Sequence, residues 1–318
     1  MKPQTDTWVE SIRSGDPRAL ARAISAVENG APEALPLLKA LFPYSGRARI
    51  IGLTGAPGAG KSTLVDQLAH EYRKQQQTVG IIAVDPTSPY TGGAILGDRI
   101  RMQSHHADPG IYIRSMATRG SLGGLARATS DASTVLDASG RDLVLIETVG
   151  VGQDEVDIVR LADITVVILV PGMGDDVQTI KAGIMEIADI FVINKSDREG
   201  AERVEREIRA MQSLAARSDH WTPPIVKTIA TDGTGIAQLA TTIAQYQQYL
   251  ECEGLLLKKK TESWRERLVE MLRDSLLRRV LREQIGDDAV ARYAAEVAEH
   301  KRDPYSLVEG IVAKLGGS

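Results

Sequence analysis

The sequence predicts an α/β protein. Its centre is a doubly wound, mostly parallel sheet, preceded by a helical segment and followed by a helical arm. Three observations predict this. Short apolar runs rich in β-branched residues alternate with helical stretches from Arg47 onward. Several of those runs are apolar at nearly every position, as strands buried on both faces must be. The flanking segments, 1–46 and 251–318, carry helical spacing and no such runs. The expected division is a helical segment over 1–46, a central α/β domain over 47–250 and a C-terminal arm over 251–318. A chain of 318 residues is long enough for one large core with appendages.

In the first segment, Asp16-Pro17 reads as an N-cap followed by proline at the first helical position. Leu20, Ile24 and Val27 follow at helical spacing, and Asn29-Gly30 ends the turn. A second short helix is expected around Leu35, Leu38 and Leu41, with a boundary at Pro43, Ser45 and Gly46. The expected strands are Ile50–Leu53, Val79–Val84, Ile111–Ile113, Leu143–Ile146, Ile164–Val170, Ile190–Ile193 and Ile225–Ile229. In the arm, Trp264, Leu268, Leu272, Leu276 and Val280 recur every four residues on an Arg/Glu-rich helix. That stripe either packs on its own core or joins the chain to another.

Composition excludes several function classes. A net charge of −4 gives no basic excess for nucleic acid or an anionic membrane. The single cysteine, Cys252, allows no intramolecular disulfide and no CxxC metal clip, which suits a reducing cytoplasm. The N-terminus lacks the apolar stretch of a secretory signal, and the longest apolar run, Ile164–Val170, is too short to span a bilayer. The expectation is a cytoplasmic protein with no membrane and no nucleic-acid partner.

The chemistry begins at residues 55–62. Gly55, Ala56, Pro57, Gly58, Ala59, Gly60, Lys61 and Ser62 form a complete GxxxxGK[ST] motif, placed between an expected strand and a helix opening at Thr63. Glycines let backbone N–H groups turn inward around phosphate oxygens, and the helix N-terminus favours the negative charge. Lys61 would bridge the β- and γ-phosphates, and the Ser62 hydroxyl would ligate Mg²⁺. This places the sheet in the P-loop NTPase class.

A second acid is expected at a neighbouring strand end. Leu143–Gly150 ends a buried run with Glu147-Thr148-Val149-Gly150, an ExxG in which glutamate stands where aspartate is usual. Asp85, closing its strand before Pro86, and Asp98, after the glycine-rich run Thr91–Gly97, are further candidates for the metal. Asp98 could instead cap the helix that follows. Mg²⁺ takes few protein ligands, so Ser62, Asp85, Asp98 and Glu147 cannot all be bound directly at once.

Guanine is read from Asn194-Lys195-Ser196-Asp197, an NKxD at the end of an apolar strand. The Asp197 carboxylate can accept from N1–H and N2–H₂ of guanine, and adenine offers neither donor there. Asn194 would brace loops, and the Lys195 stem would cover one face of the base. A last base-binding loop falls at Ile229, Ala230 and Thr231, where Ile-Ala replaces the usual Ser-Ala and contact would come from backbone N–H groups. These motifs imply a GTPase that uses GTP/GDP and Mg²⁺, with Lys61, Asp98 and Glu147 as its catalytic candidates.

Six segments then carry a family resemblance: GAPGAGKST, VDPTSPYTGGAILGDRIRM, RGSLGGLA, ETVGVGQDE, VPGMGDDVQTIKAGIMEIADIFVINKSD and WTPPIV. From about residue 10 to 250 the chain resembles the MeaB/ArgK family, which includes the methylmalonic aciduria type A protein. The resemblance implies a G-protein chaperone that gates adenosylcobalamin loading and protects or reactivates a B12-dependent acyl-CoA mutase, typically methylmalonyl-CoA mutase. It implies a homodimer joined through C-terminal helices, and magnesium roles for Ser62, Asp85, Asp98 and Glu147. It makes Thr91–Met102 the first switch, Glu147–Val156 the second and Gly172–Lys181 a third, coupled to the mutase. By themselves, Asp175 and Asp176 could equally cap a helix.

Many GTPases place a glutamine beside the ExxG-type glycine. Here Val151 occupies that position and Gln153 comes two later, which points to slow intrinsic hydrolysis. Arg119 could serve a phosphate or form a structural ion pair. Two other functions fit a P-loop. A nickel-inserting GTPase would need a metal-carrying motif, and the chain offers only His105-His106. An ATPase or kinase linked to amino-acid transport would conflict with Asp197.

Overall fold

The computed structural model describes residues 3–85, 108–117, 124–148, 161–172, 187–214, 219–281 and 286–313. It divides into two compact units, Met1–Leu256 and Leu257–Ser318.

The first unit is built on seven strands, all parallel: β1 (Arg49–Gly55), β2 (Val79–Asp85), β3 (Ile111–Ala117), β4 (Leu143–Glu147), β5 (Ile164–Leu169), β6 (Ile190–Asn194) and β7 (Ile225–Thr228). Their order is β3-β2-β4-β1-β5-β6-β7. Every strand lies at one of the apolar runs seen in the sequence. Among the described residues, the α-helices of this unit are α1 (Pro3–Arg13), α2 (Pro17–Glu28), α3 (Ala34–Leu41), α4 (Lys61–Lys74), α5 (Gly124–Ala138), α6 (Ala201–Leu214) and α7 (Ile236–Cys252).

Both sheet faces are covered. Leu143 and Leu145 of β4 face the core made with α4 and α7, whereas Val144 and Ile146 face α5 and the N-terminal helices. Period-two alternation over two buried faces is why these strands read as unbroken apolar runs. A third cluster packs α6, through Val204 and Ile208, on Val167, Phe191 and Ile193.

Helices α1–α3 share their core with β2, β4 and α5. Asp16 does cap α2, accepting from the Arg18 N–H at 2.9 Å. The second expected helix is α3, whose buried face is Ala34, Leu37 and Leu41, with Leu35 exposed. The turn after α3 is held by Asp137, whose carboxylate accepts the backbone N–H groups of Gly46, Arg47 (3.1 Å) and Ala48 (2.9 Å). Asp137 is itself buried. Asp137→Ala should therefore strand several charge-assisted hydrogen bonds and cost about 3 kcal/mol, read as a lower denaturant midpoint.

A related device sits at the strand starts. Asp142, Asp163 and Asp189 each directly precede β4, β5 and β6. Each accepts a backbone N–H from a neighbouring strand or its lead-in: Thr78 at 2.6 Å, Ile50 at 3.0 Å and Thr165 at 2.9 Å. Asp189 also accepts the Tyr246 hydroxyl of α7 at 2.6 Å. Strand-end amides that the ladder leaves open are paired in this way.

The second unit contains most of α8 (Leu255–Val280), with α9 (Asp287–Ala298) and α10 (Pro304–Ala313). Helix α8 has no buried residue. Its expected stripe stands open: Leu268, Leu272 and Leu276 are 53%, 61% and 54% exposed. No helix among the described residues is long and apolar enough to cross a membrane.

Candidate nucleotide site

The P-loop runs from the end of β1 into α4. Gly55 has φ +151°, and a Cβ there would collide with the Ile168 carbonyl of β5. Gly60 has φ +87°, and a Cβ would lie 2.5 Å from the Asn194 amide nitrogen. Glycine is thus required twice, once by the sheet and once by the guanine motif. Lys61 opens α4 and is buried, with Nζ donating to the Gly55 carbonyl at 2.7 Å and the Ala56 carbonyl at 3.0 Å. The ammonium is therefore held at the loop it would share with phosphate.

Parallel pairing brings the second acid to this loop. Leu53 of β1 registers with Glu147 at the end of β4. Glu147 is 5% exposed, and its Oε1 accepts the Ser62 hydroxyl at 2.6 Å. Serine hydroxyl and glutamate carboxylate are the hard oxygen donors that Mg²⁺ selects, and they already stand side by side. The residues present fit the ion, and the longer side chain of glutamate reaches Ser62 directly. Asp85 closes β2 and registers with Ala117 of β3. The first expected switch, Thr91–Met102 with Asp98, the second beyond Thr148, the third beyond Gly172, Arg119 and His105-His106 lie outside the described residues.

The guanine motif also closes on the P-loop. Asn194 is buried at the end of β6 and donates from Nδ2 to the Ala59 carbonyl at 2.8 Å. Its Oδ1 accepts the Thr228 hydroxyl and the Ala230 N–H, both at 3.1 Å. Asn194 thus braces the P-loop against the loop after β7, the role expected of it. Lys195 adopts φ +56° and donates to the Gly58 carbonyl at 2.8 Å. Asp197 follows and is exposed. In the last loop, Ile229 N–H donates to the Thr234 carbonyl at 3.0 Å. The amides of Ile229 and Ala230, expected to face guanine, are therefore engaged within the protein here, and Thr231 is exposed. Asp232 accepts the Thr234 N–H at 2.8 Å, which holds its carboxyl below the usual range.

Three contributors escaped the motif reading. Thr228 steadies Asn194 from the neighbouring strand. Thr54 lies just before the P-loop motif and Thr148 is one of the two unspecified positions of ExxG, and the Thr148 hydroxyl donates to that of Thr54 at 3.0 Å. Their only sequence signal is a polar residue at the end of an apolar run.

A parallel sheet with a P-loop, an acid at the adjacent strand end and an NKxD bracing the loop defines a P-loop GTPase. The family model described as "Methylmalonyl Co-A mutase-associated GTPase MeaB" matches residues 20–284. This chain belongs to the MeaB family. A Pyrococcus abyssi relative is 49% identical over 315 residues, covering 98% of this chain and 97% of its own. The GTPase ArgK of Escherichia coli is 34% identical over 293 residues, 90% of this chain and 87% of that one. The mouse protein named "Methylmalonic aciduria type A homolog, mitochondrial" is 37% identical over 231 residues, covering 71% of this chain and 56% of that one. Among solved structures, one described as a LAO/AO transport system kinase matches with a TM-score of 0.73 and 26% identity, covering 99% of both chains.

Proposed function

We propose that this GTPase is magnesium-dependent and serves a B12-dependent acyl-CoA mutase, gating adenosylcobalamin loading and protecting or reactivating the enzyme. Methylmalonyl-CoA mutase or a close relative is the client. The observation that carries the reading is the family match across residues 20–284, whose description is mutase-associated. The mouse relative's name points to the same metabolism.

The chain's own residues supply positioning and charge. The α4 N-terminus and Lys61 neutralise the β- and γ-phosphates, and Ser62 and Glu147 hold the ion. Held by Ser62 and Glu147, Mg²⁺ would supply positive charge against the charge that develops during transfer. Asp98 and Asp85 complete the acid set in one nucleotide state or through water. Asn194, Lys195 and Asp197 bind guanine, with Ile229–Thr231 closing over its edge. The first switch is Thr91–Met102, the second Glu147–Val156, and Gly172–Lys181 carries the signal to the mutase.

The protein works as a homodimer. The open apolar stripe of α8 is a surface that a second copy would cover. Its place is the cytoplasm, in keeping with its one cysteine, Cys252, which is exposed and free.

The deciding experiment measures GTP turnover with and without the candidate mutase. We expect slow turnover alone and at least about a tenfold rise with the partner, as when a partner completes a transition-state site. A fast enzyme indifferent to every acyl-CoA mutase would overturn the reading.

A further inference from the structure

The nucleotide site is closed by a circuit of three hydrogen bonds. Lys61 donates to the carbonyl of Gly55. Thr54, the residue before Gly55, accepts from Thr148 at 3.0 Å. Glu147, the residue before Thr148, accepts from Ser62, the residue after Lys61. The links therefore run from helix α4 through strand β1 and strand β4 back to α4.

The three links differ in what nucleotide does to them. Lys61 and Ser62 are the groups that phosphate and magnesium engage, so their present partners compete with ligand. The threonine pair does not compete. Leu53 and Glu147 are in register, so Thr54 and Thr148 form the next pair along, on the opposite sheet face by strand alternation. Both are 1% exposed. The Thr148 N–H also donates to the Leu53 carbonyl at 3.1 Å. Packing alone would be served better by valine, which has threonine's shape without a hydroxyl to desolvate. The buried Thr148 hydroxyl donating to the buried Thr54 hydroxyl gives a directional tie instead.

We infer that Thr54 and Thr148 are positioning residues for GTP hydrolysis: their hydroxyl bond holds the end of β4, and with it Glu147, in place against β1 and the P-loop. This rests on the GTPase assignment and is independent of the mutase. With the tie in place, Glu147 keeps its register with the P-loop while Lys61 and Ser62 change partners. Without it, the end of β4 loses its side-chain tie to β1, and Glu147 samples more positions than the transition state accepts.

The test uses the full chain without a mutase. Single-turnover hydrolysis at saturating GTP and Mg²⁺, GDP affinity and thermal midpoint are measured for Thr148→Val, Thr54→Val, Thr148→Ser and the double valine variant. We expect each single valine to lower the rate about tenfold with GDP affinity within about twofold, and Thr148→Ser to recover most of the rate. The double variant strands no hydroxyl, so its midpoint should return toward the parent while its rate stays low. Recovery of rate together with midpoint would overturn the inference, because a merely structural pair predicts that. So would single variants whose rate is unchanged, or whose rate and GDP affinity fall together.

Discussion

Asp197→Asn should lose at least about a hundredfold in preference for GTP over xanthosine triphosphate, because a site built on hydrogen bonds penalises a partner that leaves them unmade. Guanine offers donors at N1 and N2, and xanthine carries an oxygen at position 2. An asparagine amide can donate where the aspartate carboxylate only accepts. The structure makes this test clean. Asp197 is exposed, so its replacement should leave folding nearly intact. The framework around it is carried by Asn194 and Lys195, which hold Ala59 and Gly58 of the P-loop. The measurement is competition between the two nucleotides for turnover. An unchanged guanine preference would remove Asp197 from the site.

Glu147→Ala should lower GTP turnover at saturating nucleotide by roughly a hundredfold or more, the scale on which removal of a group stabilising transition-state charge is felt. Glu147 is buried and is the acceptor for Ser62. Its loss removes the carboxylate beside that hydroxyl and, on the proposed reading, one hard ligand for Mg²⁺. Raising the magnesium concentration should restore part of the activity if the loss is in ion binding. Glu147→Asp is the informative companion. It keeps the charge and shortens the reach by one methylene, restoring the acid usual in GTPases while pulling it away from Ser62. An aspartate variant with full activity would show that charge alone is needed. A Glu147→Ala enzyme with parental turnover would exclude the residue from the site.

Much of this architecture was legible in the chain. Each of the seven strands sits at an apolar run, because a sheet buried on both faces leaves its strands no polar positions to blur the signal. The P-loop and NKxD were readable because their chemistry is local. Phosphate needs consecutive glycines at a helix start, and guanine needs a carboxylate at a fixed offset from a strand end. The capping role of Asp16 was readable for the same reason.

What escaped was long-range. Asp137 holds residues about ninety positions away, and nothing near it in sequence marks it as more than a helical aspartate. The repeated Ala-Asp-Ile at 162–164 and 188–190 was a visible trace of the strand-start aspartates, but its meaning depends on which strands are neighbours. The helix around Leu35, Leu38 and Leu41 was readable, but three leucines on a short helix do not say which side meets the core, and Leu35 is exposed. The expectation for Ile229 and Ala230 treated their amides as donors for guanine, and tertiary pairing engages them with Thr234 and Asn194.

The sequence by itself determined the class of sheet, the phosphate loop, the base preference and the family, since each is written in periodicity or in residues a few positions apart. Only the tertiary structure decided that Glu147 reaches Ser62, that Asn194 ties the guanine motif to the P-loop, and that Thr148 meets Thr54. Those pairs are separated by 85, 135 and 94 residues, and only the strand order and the packing of the P-loop over the sheet bring them together. A hydrogen bond is decided within a few tenths of an ångström, a precision that patterns along a chain do not carry.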